Sequence, residues 1–167
     1  MATAAPTREV PLHLRPAVAA DEGFLRELYA QSRAEELVAS GMDALQREIF
    51  VQMQFRLRQA GYRTSFPMAV DQIVCTKDGI PVGRVLVDRT EDGMRLVDIA
   101  VVTEKQRQGF GTRAILQLQQ QCAARSWKMS LQVLKGSAAE ELYRRLGFEV
   151  ISEDPLRRQM IWDGTRV

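Results

Sequence analysis

The chain has 167 residues, 46% of them hydrophobic and 26% charged, with a net charge of only +2 at neutral pH. This is the composition of a soluble globular protein, long enough for one real core and short for two. No apolar run approaches the roughly 18 residues of a membrane span, and the opening MATAAPTREVP lacks the apolar stretch of a secretory leader.

Residues 1–10 read as a flexible N-terminal tail and 11–167 as a single domain. Leu12, His13, Leu14 and Arg15 alternate until Pro16 stops them, which predicts a short first strand. Asp21 can cap a helix that carries Phe24, Leu25, Leu28 and Tyr29 on one face. After Ser40 and Gly41, the residues Leu45, Ile49, Met53 and Leu57 recur at steps of four, predicting a second amphipathic helix that ends near Gly61. Glu35, Glu36, Asp43 and Glu48 fall around these helices and read as a solvated face, with attraction of a cationic substrate as the alternative. A three-strand meander follows over 72–77, 82–89 and 94–102, with hairpin turns at Asp78-Gly79 and at Glu91-Asp92-Gly93. Beyond it Phe110, Ala114, Ile115, Leu118 and Cys122 mark one face of a long helix. A strand over 131–134, a helix carrying Ala139, Leu142, Tyr143 and Leu146, and two strands around Pro155 complete the chain. Gly136-Ser137 opens that last helix and Gly147 closes it. The expected order is β-α-α-β-β-β-α-β-α-β-β, a mixed, mostly antiparallel sheet flanked by helices.

Charge is distributed unevenly along this order. Residues 1–104 sum to −3, residues 105–139 to +6 with no acid at all, and residues 140–167 to −1. The positive block begins where the third meander strand reaches a glycine turn, Gln106-Arg107-Gln108-Gly109-Phe110-Gly111, at the start of a helix. The first N–H groups of a helix lack internal partners and carry a partial positive charge, so such a turn suits a compact polyanion. A Walker pattern is absent. Gly109 to Ala114 matches the dinucleotide fingerprint in form, but no acid lies between Glu104 and Glu140 to hold a ribose, so that reading is rejected. Nucleic-acid binding by the basic block is disfavoured because no strand combines basic and aromatic residues.

With IAV (Ile99, Ala100, Val101) before the turn and ELYRRLGF (residues 141–148) after it, the chain resembles the GCN5-related N-acetyltransferases. The resemblance covers roughly residues 12–162 and is strongest over 97–148. It implies an acetyl-CoA-dependent, cytoplasmic N-acetyltransferase that acts on a small-molecule or protein amine, with no metal. In the family, the strand ending at Val101 splays from the strand over 131–134, and the pantetheine arm lies in the gap. Backbone groups of Ile99, Ala100 and Val101 would face that arm. Those of Arg107, Gln108, Gly109, Phe110, Gly111 and Thr112 would wrap the pyrophosphate. Tyr143 stands where the family has a tyrosine that protonates the leaving thiolate. The family often has an asparagine seven residues before that tyrosine; here the position is Gly136, and Ser137 would substitute.

Acyl transfer needs an oxyanion donor, an acid for the thiolate and a neutral amine. A phenol of pKa about 10 can serve a thiol of pKa about 8.5. Asp98, and after it Glu104, are candidates for taking the amine's proton. Alternation places Asp98 on a strand face with Leu96 and Ala100. Cys75 and Cys122 sit at apolar positions and read as buried packing rather than nucleophiles, and their isolation points to a reducing cytosol. His13 reads as structural, and a lone histidine without CxxC argues against a zinc site. Tyr62-Arg63 and Phe66-Pro67 would either bind an acceptor carboxylate or brace a loop. A non-catalytic acyl-CoA sensor is the rival reading. Partners other than the acceptor are not expected: no nucleic acid, no membrane, with a homodimer left open.

Overall fold

The computed structural model describes residues 11–165, so the expected tail at residues 1–10 lies outside the described residues. Seven strands form one sheet in the order β1-β2-β3-β4-β5-β7-β6. They are β1 (Leu12–Pro16), β2 (Val70–Thr76), β3 (Pro81–Arg89), β4 (Gly93–Val101), β5 (Lys128–Leu134), β6 (Glu149–Glu153) and β7 (Arg157–Asp163). All neighbours pair antiparallel except β4 and β5, which are parallel and are joined by a helical crossover. The helices are α1 (Glu22–Ser32), α2 (Ala34–Ala39), α3 (Ala44–Ser65), α4 (Phe110–Ala123) and α5 (Ala138–Arg145). This is the expected mixed, mostly antiparallel architecture, with three helices rather than two between β1 and β2. The added helix, α2, is a single short piece that buries only Leu37.

Each face of the sheet has its own core. On one face α4 and α5 cover Val85, Val87, Met94, Leu96, Met129 and Met160, and α4 contributes the predicted stripe Phe110, Ala114, Ile115, Leu118 and Cys122. On the other, α1 to α3 enclose a smaller cluster of Leu25, Tyr29, Leu37, Val51, Phe55, Ile73 and Cys75. Burying each of the larger side chains contributes on the order of 1.5–3 kcal/mol.

Helix α3 differs from the sequence expectation in two respects. Its buried positions are Val51 and Phe55, whereas Leu45, Ile49, Met53 and Leu57 are 66%, 58%, 50% and 60% exposed. A step of four identifies a stripe on a helix but not which side of it meets the sheet. The helix also continues through Gly61 to Ser65. It stops at Phe66 because the residue before a proline, here Pro67, is driven out of the helical region. Its start is a reciprocal cap, in which the Asp43 carboxylate accepts the Gln46 N–H at 2.8 Å and the Gln46 side chain accepts the Asp43 N–H at 3.0 Å. Asp21, expected to cap α1, instead accepts the Val18 N–H at 2.8 Å and pairs with Arg15 at 2.8 Å.

Two irregularities of β4 shape the site. Its register with β3 slips so that Leu86 opposes Asp98 and Val87 opposes Leu96, leaving Val97 as a bulge. Its pairing with β5 stops at Leu96 opposite Leu131, although β4 runs on to Val101 and β5 to Leu134. The two strands part from Val97 onward.

Candidate active site

The glycine turn stands at the mouth of this gap. Gly109 has φ of 90°, in the left-handed region that a Cβ disfavours, and it opens α4 without a side-chain cap. The first intrahelical bond runs from the Arg113 N–H to the Gly109 carbonyl at 2.9 Å. The N–H groups of Phe110, Gly111 and Thr112 therefore have no helical acceptor. Side chains brace the turn from behind: Gln106 donates to the Val101 carbonyl at 3.0 Å and Gln108 to the Glu104 carbonyl at 2.8 Å. A Cβ added to Gly111 would meet only Val101 Cγ2 at 3.9 Å, so packing does not require glycine there. What a larger residue would fill is the cavity. Lys105, Arg107 and Arg145 line that cavity and make no ion pair among the described residues, which leaves a positive rim.

The cavity measures about 630 Å³ and runs from this rim into the gap, past Ile99, Ala100 and Val101, to Tyr143. The Val102 N–H donates to the Val82 carbonyl at 2.9 Å, on the β3 side. Backbone direction alternates along a strand, so Ala100 also turns to β3 while the amides of Ile99 and Val101 face the opened side. Tyr143 is buried, with its ring edge-on to Phe148 at 5.7 Å, and its hydroxyl has no hydrogen-bond partner among the described residues. Burial, and then the negative charge of Asp98, push its pKa up to about 12, so the phenol keeps its proton throughout the neutral range.

Helix α5 holds Tyr143 there. Ser137 caps it by accepting the Glu140 N–H at 3.2 Å. The buried Glu140 carboxylate accepts the Gly136 N–H at 2.7 Å and pairs with Arg144 at 2.9 Å and with Arg158 of β7. The Gly136 N–H first, and then the two arginines, hold that carboxyl well below the usual range, at about 2.

On the opposite side of β4 lies a network of charged side chains. Asp98 accepts from Arg58 at 3.1 Å on one oxygen and from Arg84 at 3.3 Å on the other. Arg84 is 5% exposed and also takes Asp71 in a two-pronged pair and the Gln59 side chain at 3.1 Å. Arg58 lies between the rings of Tyr29 and Tyr62, at 5.3 and 5.4 Å, and donates to the Tyr62 hydroxyl at 2.7 Å.

The sequence matches the family model described as an acetyltransferase (GNAT) domain over residues 42–163, more than half of the chain. The protein belongs to the GNAT acetyltransferase family. Solved structures of low identity share its fold. The PaiA N-acetyltransferase of Thermoplasma acidophilum, in complex with coenzyme A, is 14% identical with a TM-score of 0.66, over 91% of this chain and 98% of that one. An acetyltransferase of Thermus thermophilus is 17% identical with a TM-score of 0.65, over 92% and 97%. The ribosomal-protein-S18-alanine N-acetyltransferase of Escherichia coli is 17% identical with a TM-score of 0.60, over 93% and 96%. Among curated proteins, none matches the sequence.

In this GNAT fold, Ile99, Ala100, Val101, Arg107, Gly109, Gly111, Thr112 and Tyr143 line one cavity. Phe110 turns its side chain into the core and leaves only its backbone at the turn, and Gln108 serves as a brace. Ser137 does not line the cavity; its hydroxyl is used in capping α5 and in donating to the Leu134 carbonyl at 2.8 Å. Glu104 is exposed and outside the cavity. Asp98 does not share a face with Leu96. The bulge at Val97 consumes one residue of the alternation, so Leu96 packs with Ile99 and Val101 against α4. Asp98 points with Arg95 toward α3 instead. Sequence reasoning missed Arg58, Arg84, Asp71 and Glu140. Arg84 had a signal, since it is an arginine inside the otherwise apolar run PVGRVLV, where a charge is kept only if it is paired.

Proposed function

We propose that this GNAT chain transfers an acetyl group from acetyl-CoA to a primary amine by direct attack within a ternary complex. The observation that carries the reading is one cavity that joins three features: unpaired helix N–H groups under a basic rim, the free edge of β4, and a buried, protonated phenol. The turn and the rim lysine and arginines would hold the pyrophosphate. The amides of Ile99 and Val101 would pair with the pantetheine arm and polarise the thioester carbonyl. As the amine nitrogen bonds to the acyl carbon, the carbon–sulfur bond breaks and Tyr143 gives its proton to the departing sulfur, then regains one from solvent. Both oxygens of Asp98 already accept from guanidinium groups, so its role is to position Arg58 and Arg84, while water takes the amine's proton. No cysteine step is required. Cys75 and Cys122 are fully buried, and burial pushes the Cys122 thiol up, away from the reactive thiolate.

The test is thiol release from acetyl-CoA with a panel of amines, followed by mass detection of the acetylated product. Amine-dependent release that follows saturation kinetics for both substrates supports the reading. Tight acetyl-CoA binding without release on any amine would replace it with an acyl-CoA sensor.

A further inference from the structure

We propose that the acceptor amine carries a distant anionic group, a carboxylate or a phosphate, and that Arg95 and Arg157 bind it. This rests on the transferase reading and names its substrate class. A second cavity of about 470 Å³ opens between α3 and the parted ends of β4 and β5, and its walls include Arg58, Tyr62, Phe66, Arg95, Asp98 and Arg157. Its size suits a small molecule.

Within the lining the charges do not cancel, and Asp88, which lies across from Arg95 on β3, makes no ion pair with it. Among the described residues Asp98 is the one acid in the lining, and it is already held by Arg58 and Arg84, with Asp71 balancing Arg84. That leaves Arg95 and Arg157, neither of which makes an ion pair among the described residues. The Arg95 guanidinium lies over the face of Phe66 at 5.3 Å. Stacking fixes the plane of the group without neutralising it and leaves its N–H edge to match two oxygens of an anion. The nearby Asp154 accepts the backbone N–H groups of Leu156 and Arg157 at 2.8 and 2.7 Å and offsets part of the Arg157 charge without forming an ion pair with it, so Arg95 is the less compensated of the two. Burial raises the pKa of Tyr62, so its hydroxyl keeps a proton to donate while accepting from Arg58.

The site also has a route to the chemistry. Arg58 and Asp98 also line a chamber of about 240 Å³ that reaches Ile99 and Ala100, and those two residues line the acyl-CoA cavity. Arg95 stands four residues before Ile99, about 13 Å along an extended strand, so the anion and the amine belong at opposite ends of a chain.

Six-carbon probes of matched length test this: hexylamine, 6-aminohexanoate, 6-aminohexyl phosphate and 1,6-diaminohexane, each with acetyl-CoA and the full chain. The expected result is a kcat/KM at least about tenfold higher for an anionic probe than for hexylamine, with the diamine poorest. The carboxylate and phosphate arms tell the two groups apart. Arg95→Gln and Arg157→Gln should each shrink the preference, and Arg95→Glu should invert it toward the diamine, with acetyl-CoA affinity as the control for folding. Equal or better turnover of hexylamine, or a preference unmoved by the variants, overturns the proposal. Calorimetry with 6-acetamidohexanoate needs no turnover, and weaker binding to Arg95→Gln is expected. If none of the amines is acetylated while that binding depends on Arg95, the anion site stands and the transferase reading falls. Arg95-independent binding overturns the anion site itself.

Discussion

The two sides of β4 are built from different materials. Toward α4 and α5, the cavity is made of backbone: unpaired N–H groups, a left-handed glycine, a strand edge left open, and one tyrosine set in an apolar core. Toward α3 it is made of long charged side chains that meet across 13 to 40 positions of sequence, as Arg84 does with Asp71 and Arg58 with Asp98. Backbone devices serve any acyl-CoA alike, because every such ligand brings the same phosphates and thioester. Side chains at the cavity's edge, such as Arg95 and Arg157, can differ without altering the backbone devices, so under the proposed reading that side would choose the acceptor.

Breaking the backbone-built side should cost most. Tyr143→Phe is expected to lower kcat by about 10²-fold, the scale of a lost general acid, while calorimetry finds acetyl-CoA affinity nearly unchanged. Unchanged kcat, measured where chemistry limits turnover, would reduce the tyrosine to packing. Gly111→Glu should weaken acetyl-CoA binding by about 2 kcal/mol or more, roughly 30-fold, since it fills the cavity and sets a negative charge beside the turn.

The charged side should respond more gently and differently. Asp98→Asn is expected to reduce kcat/KM by about tenfold, through the KM of the acceptor, as Arg58 and Arg84 lose their anchor. The pH profile should keep its acidic limb, after allowing for titration of the substrate amine. Loss of that limb in the variant would make Asp98 the proton acceptor.

Glu140 ties α5 to β7 through Arg158, and its prediction concerns stability. Its folded pKa is depressed from 4.5 to about 2, so its contribution is complete above pH 4.5 and is lost as the pH falls toward 2. Glu140→Gln should lower Tm at neutral pH and flatten the change of Tm with pH across that window. An unaltered slope would show that the carboxylate's charge is not what holds α5. The smallest effect belongs to the Cys75→Ala, Cys122→Ala double variant, whose turnover should stay within a few-fold of the parent. An acetyl group trapped on either sulfur would overturn direct transfer.

The same division explains what the sequence disclosed. The glycine turn and the α4 stripe depend on neighbours within a few residues, and the residue pattern shows them, whereas the place of Tyr143 came from the resemblance to the family. The stripe on α3 was visible, but its direction was not, because the sheet that decides it is assembled from distant strands. The face of Asp98 was misread for a similar reason. A bulge is a property of a pair of strands, and β3 reveals no missing partner when β4 is read alone. Arg84 announced a buried charge without naming Asp71 or Asp98 as its mates.

That bulge has a consequence for how the strand is kept in frame. Val97 works as a phase shifter: before it the even-numbered residues Met94 and Leu96 serve the core, and after it the odd-numbered residues Ile99 and Val101 do. Were β4 ironed into a regular strand with Val97 retained, Asp98 would swing into the apolar layer under α4. Arg58 and Arg84 would be left without it, and stranding a carboxylate in such a layer costs several kcal/mol. The ion pairs on the α3 side thereby act as a ratchet on the strand. They forbid the slip that would carry Asp98 to the other face of β4, and so a set of long-range ion pairs keeps Ile99 and Val101 in phase with the core.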